Sequence, residues 1–357
     1  VKKLVRHRLF WPIAALIALI VVNTIARPQF IGITIRDGEL YGPLIDILRN
    51  SAPLMLVALG MTIVIATRGI DLSVGAIMAV SGAVALTIID SSSDPGGMGT
   101  VAIALVTALL VALVLGAWNG LLVSVVGIQP IIATLVLMLA GRGVALLITD
   151  GFITTVTSAP YKFIATGYVL ALPFALFIAA AAIAVVALVE RRTALGVLTE
   201  AVGINPEASR LAGVRAKGIV FGAYVASGVL AGLAGILYSS NIMAADANAS
   251  GLYIELYAIL AVVLGGTSLM GGKFTIAGTV VGVFTIQTLE STILFLGVPS
   301  AQAPVFFAAV VIVVVLVQSP QLHRFMRRLT RRRRDDSNRT DAAPPAPSQI
   351  QTEVVSR

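Results

Sequence analysis

From Glu190 to Lys217 the chain reads ERRTALGVLTEAVGINPEASRLAGVRAK, five cations and three carboxylates set between long apolar runs. This stretch decides the fold because it is the least hydrophobic interior piece of a chain otherwise too apolar for water. Of the 357 residues 58% are hydrophobic and 12% charged, with a mean hydropathy of +0.98. Soluble domains carry about twice that share of charge. The runs on either side match the roughly 20 apolar residues that cross a bilayer. The reading is all-α, a polytopic membrane helix bundle whose largest polar loop is residues 190–217. Inside that loop a short helix has both ends marked. Asn205 suits an N-cap, Pro206 the first helical position and Glu207 the positive helix end. Gly213 suits a left-handed stop. The spacing fits a solvated connector as well as a helix that docks on a soluble partner.

Working outward, residues 1–10 form a cationic arm, too polar for the apolar core of a signal peptide, before a retained first span Trp11–Ala26. Residues 11–318 make up the membrane domain. Further spans are expected near Ser51–Thr67, Leu72–Ile89, Val101–Ser124, Ile131–Ile148 and Tyr168–Val189 before the loop. Gly218–Ser239, Leu252–Met270, Thr275–Leu296 and Pro304–Val317 follow it. Asp37-Gly38, Gly42-Pro43 and Gly127-Ile128-Gln129-Pro130 mark turns. Residues 319–357 are a basic tail, expected to be disordered beyond Arg334, whose Arg331–Arg334 run suits anionic lipid headgroups.

Ten spans put both termini on one side. With the amino terminus inside, twenty cations fall in cytoplasmic segments and four outside, as the positive-inside rule requires. The loop and both termini are then cytoplasmic. The net charge of +8 lies mostly in arms and loops, which reads as topology and not as nucleic-acid binding.

Chemistry is sparse. The chain has no cysteine, and His7 and His323 lie in the terminal arms, so no metal site is expected. Gly271-Gly272-Lys273-Phe274 lacks the spacing and the Ser/Thr of a P-loop. No hydrolase or metalloprotease motif occurs, so neither an enzyme nor a cofactor is expected. Ion-coupled carriers usually place ionisable groups deep in the membrane. Asp71 falls at a break, Glu255 at a span start and Glu290 toward an outer end. Arg142 is the one charge well inside a span, read as a structural residue or a member of the solute path. Asn119, Thr134 and Gln287 join it as candidates for that path, with Ser227, Tyr224 and Thr288, since hydroxylated solutes need hydrogen-bond partners. Interhelical bonding explains such residues equally well. Gly228/Gly232 and Gly278/Gly282 have the spacing of close helix contacts.

At three places the residues resemble a known family. Gly69-Ile70-Asp71-Leu72-Ser73-Val74-Gly75 looks like the signature of permease subunits of bacterial ATP-binding-cassette carbohydrate importers, the ribose/xylose/arabinose group. Ala201–Ala208 with Ala212-Gly213-Val214 resembles that family's coupling segment. Gly265-Gly266-Thr267-Ser268-Leu269-Met270-Gly271-Gly272 is similar to its third conserved stretch. The match runs from Ile45 to Pro320. Asp37–Gly42 and Ala245–Asn248 look like the galactofuranose branch of the group, and Tyr257 stands where the family often has Asp. The resemblance implies a type II-like permease in the bacterial plasma (inner) membrane, carrying a monosaccharide, galactofuranose or a pentose. It implies a separate ATPase subunit that docks on Asn205, Pro206, Glu207, Arg210 and Leu211. It implies a second permease subunit, identical or different, and a periplasmic or lipid-anchored sugar-binding protein. An ion-coupled carrier, the same machine with another small solute, and a non-transporting scaffold are the alternatives.

Overall fold

The computed structural model describes residues 10–297, with 302, 305, 308, 309 and 312. They belong chiefly to one compact unit, Val1–Phe307. The expected arm and tail lie outside the described residues, and the tenth span almost wholly so.

The helices in chain order are α1 Phe10–Ala26, α2 Pro43–Ala66, α3 Val74–Asp90, α4 Met98–Leu121, α5 Pro130–Ile148, α6 Ala159–Thr166 and α7 Phe174–Arg192. Then come α8 Ala194–Ile204, α9 Pro206–Leu211, α10 Ala216–Ile242, α11 Ile254–Leu264 and α12 Ile276–Phe295. A π-helical turn, Leu122–Val126, extends α4.

α10 is the axis of the bundle, and small residues put it there. A Cβ on Gly60 of α2 would lie 2.8 Å from the Ser227 Cα. One on Gly228 would lie 2.6 Å from the Gly116 Cα of α4, and one on Gly235 2.2 Å from the Met78 carbonyl oxygen of α3. Three neighbours thus meet α10 backbone to backbone, as close helix packing in membranes requires. The Gly278/Gly282 pair does the same for α12 against α11: the added Cβ atoms would lie 2.0 Å from the carbonyl oxygens of Gly265 and Ala261.

α2 is buried along nearly all of Ser51–Ala66. The outer helices α4, α5 and α7 instead expose large apolar side chains such as Ile103, Leu139 and Val185. Apolar surface on the outside and small residues within is the pattern of a bundle whose solvent is lipid.

Six helices among the described residues are long and apolar enough to cross a membrane: α2, α4 with its π turn, α5, α7, α10 and α12. α1 and α3 are shorter, and α11 is the clearest departure from the ten expected spans. The apolar run Leu252–Met270 looks continuous, yet the helix ends at Leu264. Its 11 residues rise only about 16 Å against a hydrocarbon core of about 30 Å. Gly266, at φ +88°, ends it: Gly266 N meets the Val263 carbonyl at 2.9 Å and Thr267 N the Val262 carbonyl at 3.2 Å, a Schellman stop.

Short hairpins cover the end opposite α9. β1 Thr34–Arg36 pairs with β2 Glu39–Tyr41 through Asp37-Gly38, both at positive φ, the primed turn that two-residue hairpins favour. β3 Thr154–Thr155 pairs with β6 Ala244–Ala245. β4 Tyr168–Val169 pairs with β5 Leu172–Pro173, so the sixth expected span begins at Phe174 and not at Tyr168. The polar loop 190–217 holds two helices where one was expected, because α8 precedes α9.

Candidate functional site

α9 is built as its sequence requires. Asn205 is extended, at φ −156°, and its side chain accepts from two of the first free backbone donors. Those are Glu207 N at 3.1 Å and Ala208 N at 3.0 Å. At the other end Gly213, at φ +86°, donates to the Arg210 carbonyl, and Val214 N reaches the Ser209 carbonyl at 2.9 Å. That bond pair is a Schellman stop. Glu207 and Arg210 form an exposed ion pair at 2.6 Å. The hydrogen bond from Arg210, with its charge, holds the Glu207 carboxyl below the usual carboxylate range. Leu211 and Ile204 present bare apolar surface beside the pair, 75% and 58% exposed.

The three sequence stretches singled out separately meet underneath α9. Arg68, at φ +66°, donates through Nη2 to the Ile204 carbonyl at 2.5 Å and through Nε to the Met270 carbonyl at 3.1 Å. Ile204 ends α8, so its carbonyl is one of the acceptors a helix end leaves open, and a guanidinium suits it. Gly272 N closes the triangle on the Ala66 carbonyl at 2.9 Å. Gly203 lies flat on the end of α2, where a Cβ would fall 1.8 Å from the Ala66 carbonyl oxygen. Gly271 likewise leaves room for the Arg68 stem, 2.4 Å from where its Cβ would be. Gly266 is at φ +88°, and the Ser268 hydroxyl accepts from Met270 N at 3.2 Å. Both shape the turn that presents the Met270 carbonyl.

From Arg68 the break runs inward. Asp71 is completely buried, which its place at a break did not suggest. It accepts from Ser73 N at 3.1 Å, from Ser73 Oγ at 2.6 Å and from Ser227 Oγ of α10 at 2.8 Å. Asn119 of α4 donates to Ser73 Oγ at 2.7 Å. Thr134 of α5 reaches the Ile70 carbonyl at 3.3 Å, and the Tyr224 hydroxyl donates to the same carbonyl at 3.5 Å. One turn on, a Cβ at Gly75 would lie 2.4 Å from the Gly251 carbonyl oxygen.

Of the four residues expected along a solute path, Asn119 and Thr134 therefore hold the break in place. Arg142 braces the opposite end: its Nη1 donates to the carbonyls of Ala247 at 2.8 Å and Ser250 at 2.6 Å. Gln287 alone of the four lines a cavity of about 390 Å³ among α2, α10, α11 and α12. Its polar wall also includes Tyr238, Asn241, Tyr257, Glu290 and Ser291. Tyr238 and Asn241 went unnoticed in the sequence, although their i, i+3 spacing on an apolar helix repeats that of Gln287 and Glu290.

The family model described as branched-chain amino acid transport system / permease component matches residues 44–316. The fructose import permease protein of Bifidobacterium longum is 44% identical over 329 residues, 90% of this chain and 91% of that one. The galactofuranose transporter permease protein of Escherichia coli is 46% identical over 301 residues, 82% of this chain and 86% of that one. The ribose import permease protein of Haemophilus influenzae is 35% identical over 290 residues, 80% and 85% of the two chains. No solved structure matches.

Proposed function

The chain belongs to the permease-component family of branched-chain amino acid transport systems, and from that premise we propose that it is the membrane permease of an ATP-driven importer of a neutral monosaccharide. The sugar relatives, at 44% and 46% identity over most of the chain, favour a sugar over an amino acid. In this reading ten segments cross or enter the membrane, with α3 and α11 ending inside the bundle. The arm, the loop 190–217 and the tail face the cytoplasm. A separate ATPase subunit grips α9 through Asn205, Pro206, Glu207, Arg210 and Leu211. A second permease, alike or different, completes the channel. A binding protein delivers sugar at the end that Arg142 braces.

The observation that carries the reading is the Arg68 junction. α9 has a capped, charged and partly apolar outer surface, and beneath it α8 is fastened to the break that leads to Asp71 and α10. A solvated connector needs no such fastening. Closure of two ATPase subunits would push α9 and α8, and the break would pass the displacement to α10 as rigid-body rocking.

One observation favours a second reading, ion-coupled transport by this chain alone: the wholly buried carboxylate Asp71, a residue type such carriers use. Its oxygens are engaged by Ser73 and Ser227, and it does not line the 390 Å³ cavity. Uptake of labelled fructose, galactose and ribose, compared between the intact and the deleted strain, tests the main reading. Loss of one sugar, restored by the native chain but not by one with Glu207, Arg210 and Leu211 all replaced by alanine, is expected. Unchanged uptake of all three overturns it. Uptake by the purified chain alone under an ion gradient establishes the second reading instead.

A further inference from the structure

We propose that the cavity among α2, α10, α11 and α12 is the permease's own binding site for a neutral monosaccharide, with Glu290, oriented by Gln287, as the acceptor of ring hydroxyls. The inference rests on the sugar-permease reading and goes beyond it by assigning the contact residues.

Position comes first. The cavity is lined by the start of α2, the last turns of α10, the start of α11 and the last turns of α12. Those are the ends of α2 and α10 remote from α9. A solute handed over at the hairpin-covered end meets this space before any other part of the bundle axis.

Size and chemistry agree. Its 390 Å³ falls at the small end of the roughly 300–1,000 Å³ of ligand pockets, which suits a single sugar ring. Gln287 is buried, and its amide donates to Glu290 Oε2 at 3.0 Å. That bond fixes the carboxylate one helical turn along the same face. A carboxylate is an acceptor only, and hydroxyls donate to it. Asn241 supplies an amide and Ser291 a hydroxyl, while Tyr238 and Tyr257 supply aromatic surface with a polar tip. A few directed polar groups on an apolar wall are what a small-molecule site requires.

Charge selects the class. Arg49, the cation on the wall, has its charge paired through Nη2 with Asp46 at 3.0 Å, which leaves its buried Nε as one further donor. Among the described residues no cation is paired with Glu290. A phosphorylated sugar or a sugar acid would therefore meet an unneutralised like charge, whereas a neutral polyol would not.

The chain contains no cysteine, so Leu252→Cys, on the apolar wall of the cavity, is a sole thiol in this subunit of the assembled importer. In membrane vesicles, D-fructose, D-galactose or D-ribose should slow maleimide alkylation of that thiol about tenfold. The matching sugar phosphate should not, and alkylation of Gln129→Cys, on the exposed turn between α4 and α5 at the opposite end, should be unaffected. Glu290→Gln should abolish the protection. In cells it should lower the maximal uptake rate about tenfold, the effect of one hydrogen bond to a charged group. The half-saturating concentration, set by capture on the binding protein, should stay unchanged, and so should stimulation of the ATPase. Should Glu290→Gln fail to accumulate, Tyr257→Phe, which removes one hydroxyl and no volume, should show the same loss of rate at constant half-saturation. Normal uptake with no sugar slowing the alkylation overturns this inference alone. If none of the three sugars enters the intact cells, the sugar reading falls and takes the inference with it.

Discussion

Replacing Arg68 by glycine separates stability from coupling. Arg68 sits at φ +66°, a conformation that costs a non-glycine residue about 1–2 kcal/mol and glycine almost nothing. Its guanidinium donates to the Ile204 and Met270 carbonyls at 2.5 and 3.1 Å. The side chain is exposed, so each bond contributes about 1 kcal/mol net. Arg68→Gly relieves the backbone and removes both bonds. The two effects roughly cancel in the unfolding free energy, so the melting temperature of the purified permease should stay within a few degrees of the native value. The docking of α8 has no such compensation. Losing about 2 kcal/mol shifts α8 toward the detached state about thirtyfold. In vesicles holding the permease, the ATPase and the binding protein, ATP hydrolysis should continue while sugar accumulated per ATP falls at least tenfold. Arg68→Ala keeps the strain and loses the bonds, so it should lose both stability and coupling. Arg68→Lys restores one carbonyl contact and should recover part of the coupling. If Arg68→Gly transports with native coupling, the junction does not transmit and the reasoning fails.

Gly203→Ala places a methyl 1.8 Å from the Ala66 carbonyl oxygen, and backbone cannot give way as a side chain can. Overpacking of about 1–3 kcal/mol should detach α8, and protease susceptibility of the 190–217 loop should rise while the chain still inserts. Asn205→Ala removes a cap contributing about 1 kcal/mol, so sugar uptake should fall severalfold and amide exchange in α9 should quicken. Asp71→Asn keeps the shape but turns a donor toward donors, so a loss of about 1–3 kcal/mol should appear as a lowered melting temperature, with native stability refuting the network. Arg210 depresses the Glu207 carboxyl, so the ion pair's contribution is present above the ordinary carboxylate range and is lost as pH falls through the lower folded-state value. A carbon-13 titration of Glu207 that drops on Arg210→Gln refutes this, and a rise toward the ordinary range supports it.

What the sequence disclosed follows how local each signal is. Asn205, Pro206 and Gly213 specify α9 within a few residues, and both its ends stand where those residues put them. α8 was missed because Arg191 and Arg192 before it and Glu200 within it read as solvated loop. Its apolar Leu195, Val197, Leu198 and Val202 and the cap at Thr193, which accepts from Leu195 N at 3.2 Å, were nevertheless in view. The early end of α11 was just as local and was passed over: Gly265-Gly266 interrupts the apolar run, and Gly266, at φ +88°, makes a Schellman stop with Thr267. Asp71 misled for a different reason. A polar residue at a break is ordinarily wet, and its second carboxylate oxygen is satisfied from Ser227, 156 positions later.

These non-local contacts also explain why the two ends of the molecule can act as one. Ser227, which holds Asp71, and Tyr238, which lines the cavity, lie on the same helix, roughly 16 Å apart at the rise of an α-helix. Neither α2 nor α3 can shift against α10 without separating backbones packed too closely for a side chain. The break from Arg68 to Ser73 meets α10 through side chains, the Tyr224 hydroxyl against Gly69 and the Ser227 hydroxyl on Asp71, and is held by hydrogen bonds from α4, α5 and α10. Hydrogen bonds can exchange partners, while interdigitated helices move as blocks. The segment with movable fastenings is therefore the one between α9 and the axis, which is where the proposed drive from a separate ATPase subunit needs its joint.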